Sequence, residues 1–360
     1  MGQKRFEIGS EFPLDAANLS TKEDTFGHRL KAYQSVFYSS GRGALRGVLR
    51  QLQGERALLP AYICQSVIDA FEEENYTVCL YRIKTDLSID LEDVRSKLHE
   101  DTDILFLMHY FGRLQSENDL VHLRDLCDAS SAKIIEDTTH SILTQSHSIG
   151  DYCVASLRKW FALPDGGVAY CVSGRLDEAP EASEYSFTNA RAAGMFLKGL
   201  YLNGLAEGNE MYRGLFMDAE NGIDNDNKVE AISHFSNELL NTFHVGKAAA
   251  TRIQNKAYLA ENIHNRFVTP VFDKQDSKEC SFFYPLFVEN RDVFRRYLNE
   301  NSIFCPVHWP IDDHRLLEFA DTRYISEFLI SIPIDQRYSL AEMEYICNVI
   351  NKYSGGNMEG

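Results

Sequence analysis

Two residues in this chain have types and a spacing suited to chemistry: Asp137, where the strand-like segment KIIED should end, and Lys159, in SLRKWFALPDGG just ahead of a glycine pair. A lysine amine can condense with a carbonyl to form a Schiff base, and a carboxylate beside a ring nitrogen keeps that nitrogen protonated. Together these are what an enzyme needs to hold pyridoxal phosphate and use its ring as an electron sink. Taken singly, the lysine reads as a solvated surface group and the aspartate as a turn residue. A third feature gives the pair meaning. In YSSGRGALRGVLRQL, Leu45, Val48, Leu49 and Leu52 recur at helical spacing, so Ser39, Ser40, Gly41, Arg42 and Gly43 open a helix. Free backbone N–H groups and the positive end of the dipole make such a turn a phosphate cradle, although Gly-Arg-Gly ahead of a helix is also an ordinary cap.

The flanking sequence must supply the elements that bring these residues together. RALLPAYI, TVCLYRI, DILFLMHYFG, AKIIED, DYCVASL and GGVAYCV read as strands, and QSVIDAFEEEN, DLEDVRSKLHE and SENDLVHLRDLCDAS as amphipathic helices, the second capped by Asp90. Continuous apolar strands separated by helices predict an α/β fold with a mostly parallel sheet covered on both faces. Ligands in such folds lie at the carboxyl ends of strands, where His109 and Asp137 fall. Beyond residue 175 the pattern is less regular: a helical stretch in SFTNARAAGMFLKGLYL, an exposed acidic segment DAENGIDNDNK, and one long connecting helix over ISHFSNELLNTFHVGKAAATRIQNKAYLAENI. SFFYPLFV, IFCPVHW and FLISIPI as strands, RDVFRRYLNEN as a helix, and a last helix opened by the capping box Ser339–Glu342 form a smaller α/β unit. The expected organisation is an N-terminal arm (1–30), a large cofactor-binding domain (31–245) and a small C-terminal domain with its connecting helix (246–360).

Composition narrows the function classes. The chain has 360 residues, 44% of them hydrophobic, enough for a sizeable core, and a formal charge of −17 that leaves no basic stripe for nucleic acid. The eight cysteines, at positions 64, 79, 127, 153, 171, 280, 305 and 347, form neither a CxxC pair nor a Cys/His cluster. No metal site and no disulfide framework is therefore expected, and a reducing, cytoplasmic setting fits. The N-terminus MGQKRFEIGSEF has no apolar core of a leader peptide, and no apolar run approaches membrane length.

The ordered set SGRGAL, LLPAYICQS, LFLMHYFG, IIEDTTH, SLRKWFALPDGG, PVHWP and IPIDQRYS resembles the DegT/StrS family of pyridoxal-phosphate enzymes, within the fold type I aminotransferases, over roughly residues 30 to 352. The resemblance implies a homodimer with shared active sites and a reaction that moves an amino group from an amino acid such as glutamate to a keto sugar, commonly nucleotide-linked. It implies that Asp137 meets the pyridinium nitrogen, His140 the phenolic oxygen, and Lys159, ahead of Asp165, Gly166 and Gly167, forms the Schiff base. The backbone of Gly41, Arg42 and Gly43 would carry the phosphate, with Ser156, three residues before the lysine, as a further contact. Where many members stack an aromatic ring on the cofactor, this chain has Cys64, with Tyr62 two positions earlier. His109, Tyr110, His308, Trp309 and Arg337 are candidate substrate contacts, each with an ordinary structural alternative. The Ser233–Asn237 stretch is a candidate to reach the partner's site. Two other readings stay open: a different pyridoxal-phosphate reaction on a non-sugar substrate, and a cofactor-binding protein without turnover. A family branch that dehydrates has histidine in place of the lysine, and Lys159 argues against it.

Overall fold

The computed structural model describes residues 4–14, 24–144, 148–177, 179–185, 187–272 and 279–355. An arm strand β1 (Ile8–Gly9) precedes the main sheet, which contains β2 (Gln34–Tyr38), β3 (Arg56–Pro60), β4 (Thr77–Tyr81), β5 (Ile104–Met108), β6 (Lys133–Asp137), β7 (Tyr152–Ser156) and β8 (Gly167–Cys171). Its order is β2-β8-β7-β6-β5-β3-β4. The five strands β4, β3, β5, β6 and β7 run parallel, and β8 and β2 close one edge antiparallel. The mostly parallel sheet expected from the apolar runs is therefore present, with an antiparallel edge added.

The period of a strand explains how both faces are covered. In β5, Ile104 and Phe106 enter one core with Leu45, Val48 and Leu49 of helix α1 (Gly41–Leu52) and Ile68 and Phe71 of α2 (Gln65–Glu73). Leu105 and Leu107 enter the opposite core with Val94 of α3 (Leu91–Lys97) and Leu123 of α4 (Glu117–Ser130). As expected, Asp90 caps α3, its carboxylate accepting from Asp93 N.

Beyond residue 175 the structure adds to one sequence expectation and overturns another. The acidic segment is exposed at most of its positions, as expected, and is largely helical. After α5 (Thr188–Leu202), helix α6 (Glu210–Asp224) runs through most of it because Phe216, Ala219 and Ile223 bury one side at helical spacing. The long connector is two helices, α7 (His234–Leu240) and α8 (Val245–Asn262). The chain restarts at His244, whose Nδ1 accepts from Lys247 N at 3.2 Å, while the Asp24 carboxylate accepts from Gly246 N at 2.7 Å.

The last part of the chain forms a three-stranded antiparallel sheet of β9 (Val268–Pro270), β10 (Tyr284–Val288) and, later in the chain, β12 (Leu329–Ile332). Between β10 and β12 come α9 (Arg291–Glu300), the short β11 (Ile303–Phe304), which pairs with β1, and α10 (Ala320–Phe328). IFCPVHW is a strand only at its first two residues; Pro306 has no N–H to extend a ladder. Helix α11 (Leu340–Lys352) opens with the expected capping box of Ser339 and Glu342.

Candidate active site

The carboxyl ends of β5, β6 and β7 meet the start of α1 around a cavity of about 260 Å³. Met108, Asp137, His140, Ser156 and Lys159 line it together with Gly41, Arg42 and Cys64. Residues far apart in sequence are thus brought to one place by the parallel crossovers.

The β7 end is held tightly against α1. A Cβ on Gly41 would lie 2.9 Å from the Ser156 Cβ, and one on Gly167 only 2.0 Å from the Ser40 carbonyl oxygen. Glycine at both positions allows this close approach. At the helix start, Ser40 Oγ accepts from Gly43 N at 2.9 Å. That bond corrects part of the expected cradle: the Gly43 N–H is spent within the cap, so Gly41 and Arg42 are left to offer theirs. The Arg42 guanidinium turns away to Asp224, at 3.0 Å from Oδ1.

Asp137 ends β6, buried, with Oδ1 accepting from Thr139 N at 2.7 Å. Burial pushes its pKa up, opposed by the Thr139 hydrogen bonds and the positive charge of Lys159. Thr139 was not anticipated, yet it ties the site together. Its hydroxyl accepts from Ser156 N at 3.1 Å and its carbonyl accepts from the Trp160 indole N–H at 2.5 Å. The two residues flanking Lys159 at this distance are therefore anchored to the strand end that carries Asp137.

His140 is fully buried, stacked between Phe282 (ring centroids 4.5 Å apart) and Trp309 (5.5 Å). Its Nδ1 accepts from Phe111 N at 3.4 Å, which leaves the proton on Nε2. Among the described residues, Nε2 has no partner. Burial, with His308 and Lys159 nearby, holds its pKa well below the usual imidazole value, so the ring is neutral.

Lys159 follows β7 in a single 3-10 turn, Leu157–Lys159, half-buried. No hydrogen bond or ion pair to its ammonium is found among the described residues, although the neighbouring Arg158 is paired with Glu220 at 2.9 Å. Lys159 also lines a second, larger cavity of about 660 Å³, as do His308, Trp309 and Arg337. The arm walls this cavity through Gly9 to Phe12, fastened by Tyr338, whose hydroxyl accepts from Gly9 N at 2.7 Å, and by buried Lys198, at 2.6 Å from Glu7.

Other expected contacts fall elsewhere. His109 and Tyr110 line neither cavity. Met108 faces the smaller cavity, so the next residue points to the opposite side, where His109 Nε2 meets Glu136 at 3.1 Å and its Nδ1 accepts from Gln115 N. The Tyr110 hydroxyl donates to the Tyr62 carbonyl at 2.6 Å. Tyr62 is itself buried, its hydroxyl donating to the His308 carbonyl, which leaves Ile63, Cys64 and Ser66 as the cavity-lining members of that stretch. The Arg337 guanidinium grips Asp335 at 2.7 and 2.8 Å and is not free for an anion. Ser233 and Ser236 are also committed: the Asp165 carboxylate accepts from both hydroxyls and from Ser233 N. Of that stretch, His234, Phe235 and Asn237 are exposed.

Pyridoxal phosphate fits these residues. An unpaired amine, a buried carboxylate and a buried ring N–H without a partner border one cavity, next to a helix start with free N–H groups.

Residues 17–179 match the DegT/DnrJ/EryC1/StrS aminotransferase family, the family whose motifs the sequence resembles, and the fold is shared with solved sugar aminotransferases. A putative sugar aminotransferase, Spr1654 from Streptococcus pneumoniae, in its PLP form, superposes with a TM-score of 0.69 at 16% identity, covering 96% of this chain and 98% of that one. Helicobacter pylori PseC, an aminotransferase of pseudoaminic acid biosynthesis, gives 0.67 at 16% identity over 96% and 98%. By sequence, a dTDP-3-amino-3,6-dideoxy-alpha-D-galactopyranose transaminase of Aneurinibacillus thermoaerophilus is 26% identical over 27% of this chain and 29% of its own. A GDP-perosamine synthase of Vibrio cholerae is 26% identical over 34% of each. The chain thus spans about a third of the length of these curated relatives. Among the described residues, no helix is long and apolar enough to cross a membrane, and no cluster of His, Cys, Asp or Glu is able to hold a metal.

Proposed function

We propose that this protein is a pyridoxal-phosphate-dependent aminotransferase that moves an amino group from an amino acid to a keto sugar, nucleotide-linked as in the relatives' names. The observation that carries the reading is the unpaired Lys159 sharing a cavity with Asp137 and His140. When bound, the cofactor supplies an electron sink for the charge that develops as the C–H bond at the amino-bearing carbon breaks.

The chain's own residues then divide the work. Lys159 would hold the cofactor covalently, and its amino group, when free, would carry the proton from that carbon of the donor to the cofactor and, in the second half-reaction, back to the amine-bearing carbon of the product. Asp137 would keep the ring nitrogen protonated, which would also relieve the carboxylate of the cost of being buried alone. The neutral His140 would donate its Nε2–H to the ring oxygen. The N–H groups of Gly41 and Arg42, with the Ser156 hydroxyl, would hold the phosphate at the positive end of α1. Trp309 and Cys64 border the same space, and the larger cavity takes the substrates, with Lys159 and Trp309 at its junction with the first and His308 on its wall.

The working form we infer is a cytoplasmic homodimer with an arm (1–30), a large domain (31–245) and a small domain (246–360). Support for a second copy comes from large apolar side chains exposed along α5 and α6, with Phe196 54%, Met211 72% and Met217 63% accessible. The test of function is the absorption spectrum of the cofactor-loaded protein as amino acids are added singly. Conversion to the pyridoxamine form by a donor, reversed by a keto sugar nucleotide, is the expected result. An unchanged spectrum with every donor would refute the transferase reading.

A further inference from the structure

Helix α8 buries a charge that its packing does not require. Arg252 is fully buried, and its guanidinium lies 4.4 Å from the centre of the Trp160 ring. Its Nε donates to Gln336 Oε1 at 2.8 Å and its Nη1 to the Phe282 carbonyl at 2.8 Å, both neutral acceptors. Its Nη2 is buried, with no partner among the described residues. A buried guanidinium is costly unless an anion meets it. Asp335 offsets the charge most, but that carboxylate already accepts two hydrogen bonds from the Arg337 guanidinium and one from its backbone N–H.

Arg252 lines the larger cavity, on which Lys159 also opens. Seven cationic side chains border that space against four carboxylates. Among the described residues, Lys159, Arg213, Arg252 and Arg295 have no ion pair there. In a chain of net charge −17, this is a local excess of positive charge that favours anionic ligands. Of these four, only Arg252 is a fully buried guanidinium, and it is fixed relative to the lysine. Gln336 accepts from Arg252 and donates to the Trp160 carbonyl at 2.5 Å, one residue beyond Lys159.

We propose that Arg252 reads a carboxylate of the amino donor, which supplies the anion its Nη2 lacks and so presents the donor's amine on the side of the cavity where Lys159 opens. The planar guanidinium suits a carboxylate, and its fixed setting makes the contact directional. The assignment makes the donor an amino acid rather than a simple amine, and it rests on the aminotransferase reading above.

The test is calorimetric binding to the holoprotein of glutarate, a dicarboxylate without an amine, and of its neutral diamide, pentanediamide. Wild type is expected to bind glutarate at least tenfold tighter than the diamide, and Arg252→Gln to reduce that ratio at least tenfold. General loosening of the structure would weaken both ligands and leave the ratio unchanged. An unchanged ratio in Arg252→Gln, or no preference for glutarate in wild type, overturns the proposal. If Arg252→Gln does not fold, Arg252→Lys retains the charge without the planar fork: a ratio lowered threefold or more supports the assignment, and an unaltered one overturns it. Failure of the aminotransferase reading is separately visible as an unchanged cofactor spectrum with every donor, while the glutarate ratio still reports on Arg252.

Discussion

Replacing Asp137 by Asn should push two observables in opposite directions. Burial raises the Asp137 pKa above its ordinary 3.8 in the cofactor-free protein. The stability this group contributes is therefore full below the unfolded value and is lost as pH rises through the folded one. At pH 7 the ionised carboxylate is a net cost, and an amide removes it. Asn also keeps an oxygen to accept from Thr139 N, a bond of 2.7 Å, so the end of β6 should hold its shape. Cofactor-free Asp137→Asn should thus be at least as stable as wild type in denaturant at pH 7. With cofactor and donor the effect reverses, because a neutral amide cannot hold the ring proton. Breaking a buried pair costs about 3–5 kcal/mol, and at ~1.4 kcal/mol per tenfold in rate the first half-reaction should slow by ~10²- to 10⁴-fold. Stopped-flow absorbance in single turnover measures it. A half-reaction within threefold of wild type, or a cofactor-free variant destabilised by more than about 2 kcal/mol, would refute the assignment of Asp137.

Gly41→Ala places a Cβ 2.9 Å from that of Ser156 and should weaken cofactor binding tenfold or more, read by equilibrium titration; unchanged affinity would remove the start of α1 from the phosphate site. His140 and His308 are both depressed by burial, the latter to about 3, so the stability they contribute is present above the unfolded value of 6.5 and lost below it. Between pH 6.5 and 5.5 the two should together lose about 2 kcal/mol, and urea midpoints that stay flat over this range would show that one of them is solvated. If active sites are shared, mixing subunits that lack Lys159 with subunits carrying Asn237→Ala should restore part of the activity. A protein active as a monomer at micromolar concentration would contradict the shared-site proposal.

The sheet was legible because β5 is an uninterrupted apolar run and β7 is nearly one, the pattern of strands covered on both faces. Helix α6 was not, because its acidic and amide residues mask the buried Phe216, Ala219 and Ile223. The break between α7 and α8 depends on Asp24, more than 200 positions away, and nothing local announces it. The same division holds at the site. Asp137, His140 and Lys159 lie in short motifs with a chemical meaning, and the fold brings them to one cavity. His109 shows the limit of reading a strand's end: the position was right, but strand alternation gives the cavity to Met108. Thr139, the Asp165 cluster with Ser233 and Ser236, and Arg252 act through partners distant in sequence, so their types alone carried no signal.

The most direct test is borohydride reduction of the cofactor-loaded protein followed by peptide mass spectrometry. The account predicts one pyridoxyl label, on the peptide containing Lys159, absent from Lys159→Ala. A label on any other lysine, or none in protein shown to contain the cofactor, would contradict it.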